Sequence, residues 1–304
     1  MSPGRLKSIS REVLRWYLQK FPLRDGKAYF YRLLQGGLTP AHRYITVTLA
    51  QGFNLKLDLG DPDQRKIYFY GDYDERHEGA LVRRMLEPRE VFWDIGANIG
   101  YFSLLAAATL KNTGQVVALE PGRTAFKSLN DNIALNPFQN IRTYDVAAAD
   151  KEGEALLYSS PDTADGRASL FQPCHGRTGS QICRTVTLDH FQENLGLTPP
   201  DFIKIDVEGA ELAVLRGAAR ILRSRPPLLL VEMKEATLKA AGTDKAAIQE
   251  LLQGYGYLPA SLQRRRWHVS KDVKAVKSRN IFWFNPALPT HRHKAARLPV
   301  GGGW

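Results

Sequence analysis

Residues 91–103 read Val91-Phe92-Trp93-Asp94-Ile95-Gly96-Ala97-Asn98-Ile99-Gly100-Tyr101-Phe102-Ser103. An apolar run carries an aspartate at its end, and a turn with two glycines follows. Aromatic residues then open a segment whose spacing predicts a helix over 101–110. Strand, glycine turn and helix in that order form the unit with which α/β proteins hold nucleotide-like ligands.

The rhythm continues on the C-terminal side. Strands are expected over 115–120, 141–146, 202–206 and 228–233, with helices over 124–135, 210–222 and 244–253. Further strands are expected near 255–258 and 281–284. Apolar strands separated by helices imply an α/β fold with a mostly parallel sheet flanked by helices and its ligand outside the strands' carboxyl ends. Residues 151–190 are rich in turn formers, with strand-like ends over 155–158 and 183–188. Upstream, Leu6, Ile9, Val13, Trp16, Tyr17 and Phe21 recur at helical spacing with Arg5, Lys7, Arg11 and Arg15 between them. That pattern suits a helix capping a core, or a basic amphipathic helix on a membrane. Residues 44–70 alternate as antiparallel strands, punctuated by Gly52 and Gly60-Asp61-Pro62-Asp63. The expected organisation is a helix-and-strand extension over 1–70, the α/β domain over 71–285 and a disordered basic tail over 286–304.

The chain of 304 residues has a formal charge of +11, unevenly distributed. Residues 1–38 carry a net +6, residues 264–304 a net +9, and the segment between them a net −4. Basic ends suggest an anionic membrane surface or an acidic substrate as partner, or simply solubilising tails. The two cysteines, Cys174 and Cys183, have no metal-binding spacing, which fits idle thiols in a reducing cytoplasm. No signal-peptide pattern and no membrane-spanning run is read, so a cytoplasmic protein with peripheral membrane contact is expected.

The turn narrows the ligand. A dinucleotide site needs Gly-x-Gly-x-x-Gly, yet Asn98 stands where the second glycine would let a pyrophosphate approach, and Asp94 would repel it. A P-loop is excluded because no Gly-Lys-Ser/Thr follows. S-adenosylmethionine fits better: it has a positive centre, an adenosine and no phosphate. Gly96, Asn98 and Gly100 are the candidate turn contacts, the glycines admitting the methionine moiety. Asp94 would attract the ammonium directly or through water. Glu120, about 20 residues after the turn, would accept the ribose hydroxyls. Asp145, at the third strand's end, would meet the adenine side.

The same residues resemble a known family. VFWDIGANIGYFS, then VVALEP over 116–121, FIKIDVEGAELAVLRGA over 202–218 and LLLVEM over 228–233 are similar to the FkbM family of S-adenosylmethionine-dependent methyltransferases. The resemblance runs from about residue 71 to about residue 258. It implies a class I methyltransferase fold and methyl transfer to oxygen, often on sugars or secondary metabolites.

Methyl transfer from a sulfonium is an in-line displacement, so the enzyme positions the acceptor and takes its proton. Asp206, at the fourth strand's end, and Glu208 two residues on could orient an acceptor hydroxyl and act as base, or hold the ligand or a divalent ion. Glu232 is a second candidate base. No convincing third ion ligand is read, so no metal is expected. Lys204 is expected to pair with a carboxylate, and Glu211 to favour the dipole of the next helix. Tyr73 and Glu75 are read as closing over the cofactor, or as ordinary surface.

Two other functions compete. Nucleic-acid methylation suits the basic ends, but base amino methylation uses an Asn/Asp-Pro-Pro-Tyr/Phe segment where this chain has Asp206-Val207-Glu208-Gly209. The paired acids would also repel a phosphate backbone, so nucleic acid is not the expected partner. An inactive module binding glycans or membranes is the other, and the intact turn argues against it. A small-molecule or glycan acceptor is therefore expected.

Overall fold

The computed structural model describes residues 3–21, 26–73, 76–159, 168–171, 179–263, 266–270, 272–276 and 278–298. The chain divides into two compact units, one of residues 1–76 and one of residues 77–162 and 166–304. Among the described residues no helix is long and apolar enough to cross a membrane. Glu75 and Cys174 lie outside the described residues.

In the first unit, helices Pro3–Lys20 and Lys27–Leu38 precede an antiparallel hairpin of β1 (Tyr44–Thr48) and β2 (Asn54–Asp58). A third strand was expected at 67–70, but Pro62–Tyr70 is a helix. The Asp61 carboxylate caps it, accepting the amides of Asp63 and Gln64 at 2.8 and 3.1 Å, and Pro62 fills the first turn. Ile67, Tyr68 and Phe69 are all buried, which gives the run the look of a strand.

The second unit begins near helix Arg76–Met85 and is built on strands β3 (Val91–Ile95), β4 (Gln115–Leu119), β5 (Ile141–Tyr144), β6 (Val146–Ala148), β7 (Gly153–Ser159), β8 (Ala168–Ser169), β9 (Gly179–Val186), β10 (Phe202–Ile205), β11 (Leu228–Glu232), β12 (Leu258–Gln263), β13 (Arg266–Val269) and β14 (Asn280–Phe284). Its main sheet has the order β13-β12-β14-β11-β10-β3-β4-β5. The run β11-β10-β3-β4-β5 is parallel throughout, whereas β14 runs antiparallel to both its neighbours. This is an α/β fold on a mostly parallel sheet, with a topological switch between β3 and β10, the place where such sheets hold their ligands.

The segment over 151–190 adds a feature that the sequence only hinted at: β6-β9-β7-β8 form a second, small sheet. Leu188 begins a helix instead of ending a strand, because Thr187 caps it by accepting the His190 amide at 3.3 Å.

Strand alternation divides the main sheet's two faces. Trp93, Ile95, Ile203, Ile205, Leu229 and Val231 point into one large core with Phe191, Leu215, Ile248 and Trp283. The alternate positions on the other face end in Asp94, Lys204 and Glu232, which puts charged groups inside the protein at the strands' carboxyl ends.

The expected disordered tail is corrected over 286–298. Pro289–Ala295 is a helix with His291, Lys294 and Ala295 buried. His291 Nδ1 accepts the Asn285 amide at 2.9 Å, and burial followed by the Lys294 charge lowers its pKa to about 4. Lys294 pairs with Glu90 and Arg297 with Glu87, tying the helix to the loop before β3. Basic residues here serve as clasps, and His291 is a packing histidine.

Candidate active site

The turn after β3 is shaped by the neighbouring strand. Gly96 has φ +83°, and a methyl on it would overlap the carbonyl oxygen of Asp206. Gly100, at φ +90°, would place a methyl 2.6 Å from Leu129 Cδ1. Backbone packing therefore demands glycine at residue 96, and the left-handed backbone favours it at residue 100, reasons different from ligand approach. Asn98 also adopts a positive φ, of 50°. Its amide donates to Glu120 Oε2 at 2.8 Å, while Glu120 Oε1 accepts the Gly122 amide at 2.8 Å. Glu120 thus braces the turn, with further lone pairs left for a ligand's hydroxyls. Burial pushes its pKa up to about 7, against those two amide bonds.

Asp94 lies beside Lys204 in the β3–β10 register. Its Oδ2 accepts from Ser103 Oγ at 2.6 Å, while Oδ1 is buried without a hydrogen-bond partner. Burial raises its pKa, and Lys204 and Ser103 oppose that rise. An unpartnered buried carboxylate oxygen is costly, so this atom is suited to receive a donor from a ligand. Asp145 is exposed and lines a cavity of about 230 Å³ with Pro121, Arg123, Val146, Gln181 and Cys183. Asp145 follows β5, and the lining residue Pro121 directly follows Glu120 at the end of β4.

The acidic residues after β10 and β11 converge. Asp206, Glu208 and Glu232 each offer an oxygen within 4.8 Å of the others. Glu232, expected from the sequence as a base and not as a third ion ligand, therefore stands close enough to the other two for the three to share an ion. Two lysines balance the cluster. Lys204 Nζ lies 2.9 Å from Asp206 Oδ2, as expected for a carboxylate partner, and 4.5 Å from the Phe102 ring centroid. Lys234 Nζ lies 2.8 Å from Glu208 Oε1 and 2.7 Å from Glu232 Oε2. Lys234 was not read from the sequence. Its 26-residue separation from Glu208 leaves no local pattern, and only the pairing of β10 with β11 brings the two together.

Burial would raise Asp206, but Lys204, a hydrogen bond with Glu232 and Lys234 outweigh it and hold the carboxylate well below its usual range. Glu232 moves the opposite way: burial, then the Asp206 charge and the hydrogen bond between them, raise it far above an ordinary carboxyl. The shared environment therefore sets the two apart, favouring the ionised form of Asp206 and the protonated form of Glu232. Glu208 sits at φ +50° before Gly209, a backbone state uncommon for a side-chain-bearing residue and concentrated at functional sites. Ser169 Oγ donates to its carbonyl at 2.8 Å.

Glu211 begins the next helix, but it is buried, which goes beyond the expected dipole role. Its Oε1 accepts the Gly209 amide at 3.0 Å, and its Oε2 has no hydrogen-bond partner. Burial raises its pKa from 4.5 to about 7. The folded state then keeps a proton that the unfolded chain has lost, so stability falls as pH rises from about 4.5 to about 7. Glu211→Gln keeps the acceptor and cannot ionise. Urea titrations at pH 5 and pH 8 should show the variant losing up to ~3 kcal/mol less than wild type across that interval. Equal losses would remove Glu211 from the titration.

Comparison with known proteins identifies the family. The profile of the methyltransferase FkbM domain matches residues 94–259, more than half the chain. The hexuronic acid methyltransferase AglP of Haloferax volcanii is 29% identical over 182 residues, covering 59% of this chain and 69% of AglP. The 2-O-methyltransferase NoeI of Sinorhizobium fredii is 26% identical over 188 residues, covering 58% of this chain and 76% of NoeI. A solved methyltransferase FkbM from Methylobacillus flagellatus is 18% identical with a TM-score of 0.43, the match covering 64% of this chain and 44% of that one. This chain therefore spans less than half of that solved protein. The chain belongs to the methyltransferase FkbM domain family and is a methyltransferase.

Proposed function

We propose that the protein transfers a methyl group from S-adenosylmethionine to a hydroxyl of a sugar or glycan. The observation that carries the reading is the unpartnered Asp94 Oδ1 at the end of β3, on the same strand ends as the ionised Asp206. The named activities of AglP and NoeI, on hexuronic acid and at a 2-hydroxyl, support an oxygen acceptor on a sugar.

S-adenosylmethionine supplies an already activated methyl. Asp94 Oδ1 would receive its ammonium, Glu120 its ribose hydroxyls, and the cavity beside Asp145 its adenine side. Gly96, Asn98 and Gly100 form the turn beneath. Asp206 is the group placed to orient the acceptor hydroxyl and take its proton. Its low proton affinity is no obstacle, because the hydroxyl becomes strongly acidic as its oxygen forms the new bond. Glu232, protonated, donates to Asp206 and fixes its direction. Glu208 is held by Lys234, which suits it to orienting rather than to proton transfer. Lys204 and Lys234 supply the positive charge that the carboxylates need within the cluster.

Glu120→Ala should weaken S-adenosylmethionine binding ~10–150-fold, the loss of paired carboxylate–hydroxyl contacts. Calorimetry giving unchanged affinity would remove Glu120 from the cofactor site. For the acceptor, the full chain is incubated with methyl-labelled S-adenosylmethionine and oligosaccharides with and without a hexuronic acid. Label in an acid-stable methyl ether on a released sugar is expected. Label on nucleic acid or protein instead would overturn the reading.

A further inference from the structure

Among the described residues, fourteen large apolar side chains are exposed, and eight belong to the two N-terminal helices. Leu6, Ile9, Val13 and Trp16 follow one side of Pro3–Lys20 at three- and four-residue spacing, 58, 47, 60 and 58% exposed. Leu14 and Leu18 are buried on its other side. Helix Lys27–Leu38 buries Lys27 and Tyr31 and leaves Tyr29, Phe30, Leu33 and Leu34 exposed. The helices are fastened to each other: Lys27 Nζ donates to the Leu18 carbonyl at 2.8 Å and Arg11 Nε to the Leu38 carbonyl at 2.7 Å. Tyr17 and Phe30 meet edge to face at 5.6 Å. Single exposed apolar residues are ordinary, but a series along two packed helices marks an interaction surface.

The charge around the series selects the partner. Residues 1–38 contain eight Lys and Arg against two Asp and Glu. Arg15 is turned inward, donating to the Tyr68 carbonyl at 3.2 Å and lying 4.4 Å from that ring's centroid. Arg5, Lys7, Lys20 and Arg32 stay exposed. Apolar and aromatic side chains beside exposed cations match an anionic bilayer, with Trp and Tyr at the headgroup level and ammonium and guanidinium groups on the phosphates. A second copy of this chain would bring the same positive charge to the contact and be repelled.

We propose that the helix pair Pro3–Lys20 and Lys27–Leu38 docks the protein on an anionic lipid surface. The inference is independent of the methyl-transfer reading, since every residue in it lies in the first unit.

The test is co-sedimentation of the full chain with phosphatidylcholine vesicles and with vesicles containing phosphatidylglycerol, at low and high salt. Binding to the anionic vesicles that falls with salt is expected, with at least ~tenfold weaker binding to the neutral ones. Val13→Glu with Leu33→Glu should reduce anionic-vesicle binding at least ~tenfold. Val13→Ser with Leu33→Ser, which adds no charge, should reduce it at least ~threefold, and circular dichroism checks that both variants fold. No binding at low salt, equal binding to both vesicles, or serine-variant binding equal to wild type would overturn the proposal. So would a dimer in sedimentation velocity that Leu33→Ser dissociates, because a second copy would then cover the face. Failure to bind S-adenosylmethionine would sink the functional reading and leave this one standing.

Discussion

An Asp206→Asn enzyme should bind S-adenosylmethionine with near-wild-type affinity and turn over ~10²–10⁴-fold more slowly per folded molecule. The carboxylate is the ionised member of the Asp206–Glu232 pair, and the amide cannot take a proton from the acceptor. Its ionisation persists throughout the neutral range, so the loss should be similar at pH 6 and pH 8. Asparagine keeps an acceptor but removes the negative charge 2.9 Å from the buried Lys204 ammonium, so a lower melting point is expected as well. Single-turnover rates beside thermal melts separate the two effects. Glu208→Gln should cost less, because Glu208 is tied to Lys234 and, under the proposed function, orients the acceptor without taking its proton. An Asp206→Asn enzyme with a near-normal rate and only a lowered melting point would assign the cluster to stability.

Gly96→Ala should damage folding severely. A methyl there meets the Asp206 backbone carbonyl, which cannot swing aside because Asp206 N is itself bonded to the Ile95 carbonyl at 2.9 Å. The φ of +83° adds strain for any residue with a Cβ. Together these should cost at least ~3–5 kcal/mol. Gly196→Ala is the control: φ is +58° there and nothing lies within 4 Å of the added carbon, so only about 1 kcal/mol is expected. Equal losses in urea titrations would mean that backbone conformation, and not the β3–β10 contact, demands glycine at residue 96.

The central α/β unit was legible in sequence because its signals are local. Asp94, Glu120 and Asp206 each sit at or beside the end of an apolar run. The glycine turn starts one residue after the run that carries Asp94. What the strings of residues could not carry was pairing across the sheet. Lys234 and Glu232 reach Asp206 and Glu208 only through the β10–β11 register, and Asn280 lies opposite Glu232 only because β14 runs antiparallel. The C-terminal helix escaped notice for the same reason: Lys294 and Glu90 are 204 residues apart in sequence. The helix Pro62–Tyr70 was missed differently. Its cap and proline were visible but looked like loop punctuation, and three buried residues in a row overrode them.

The most direct test is a calorimetric titration of the full chain with S-adenosylmethionine and, in parallel, with NADH. Saturable one-site binding of S-adenosylmethionine, weakened in Glu120→Ala and absent for NADH, is the expected result. Tighter binding of NADH, or no binding of S-adenosylmethionine by the folded protein, would contradict the assignment of the Gly96–Gly100 turn to a methyl donor.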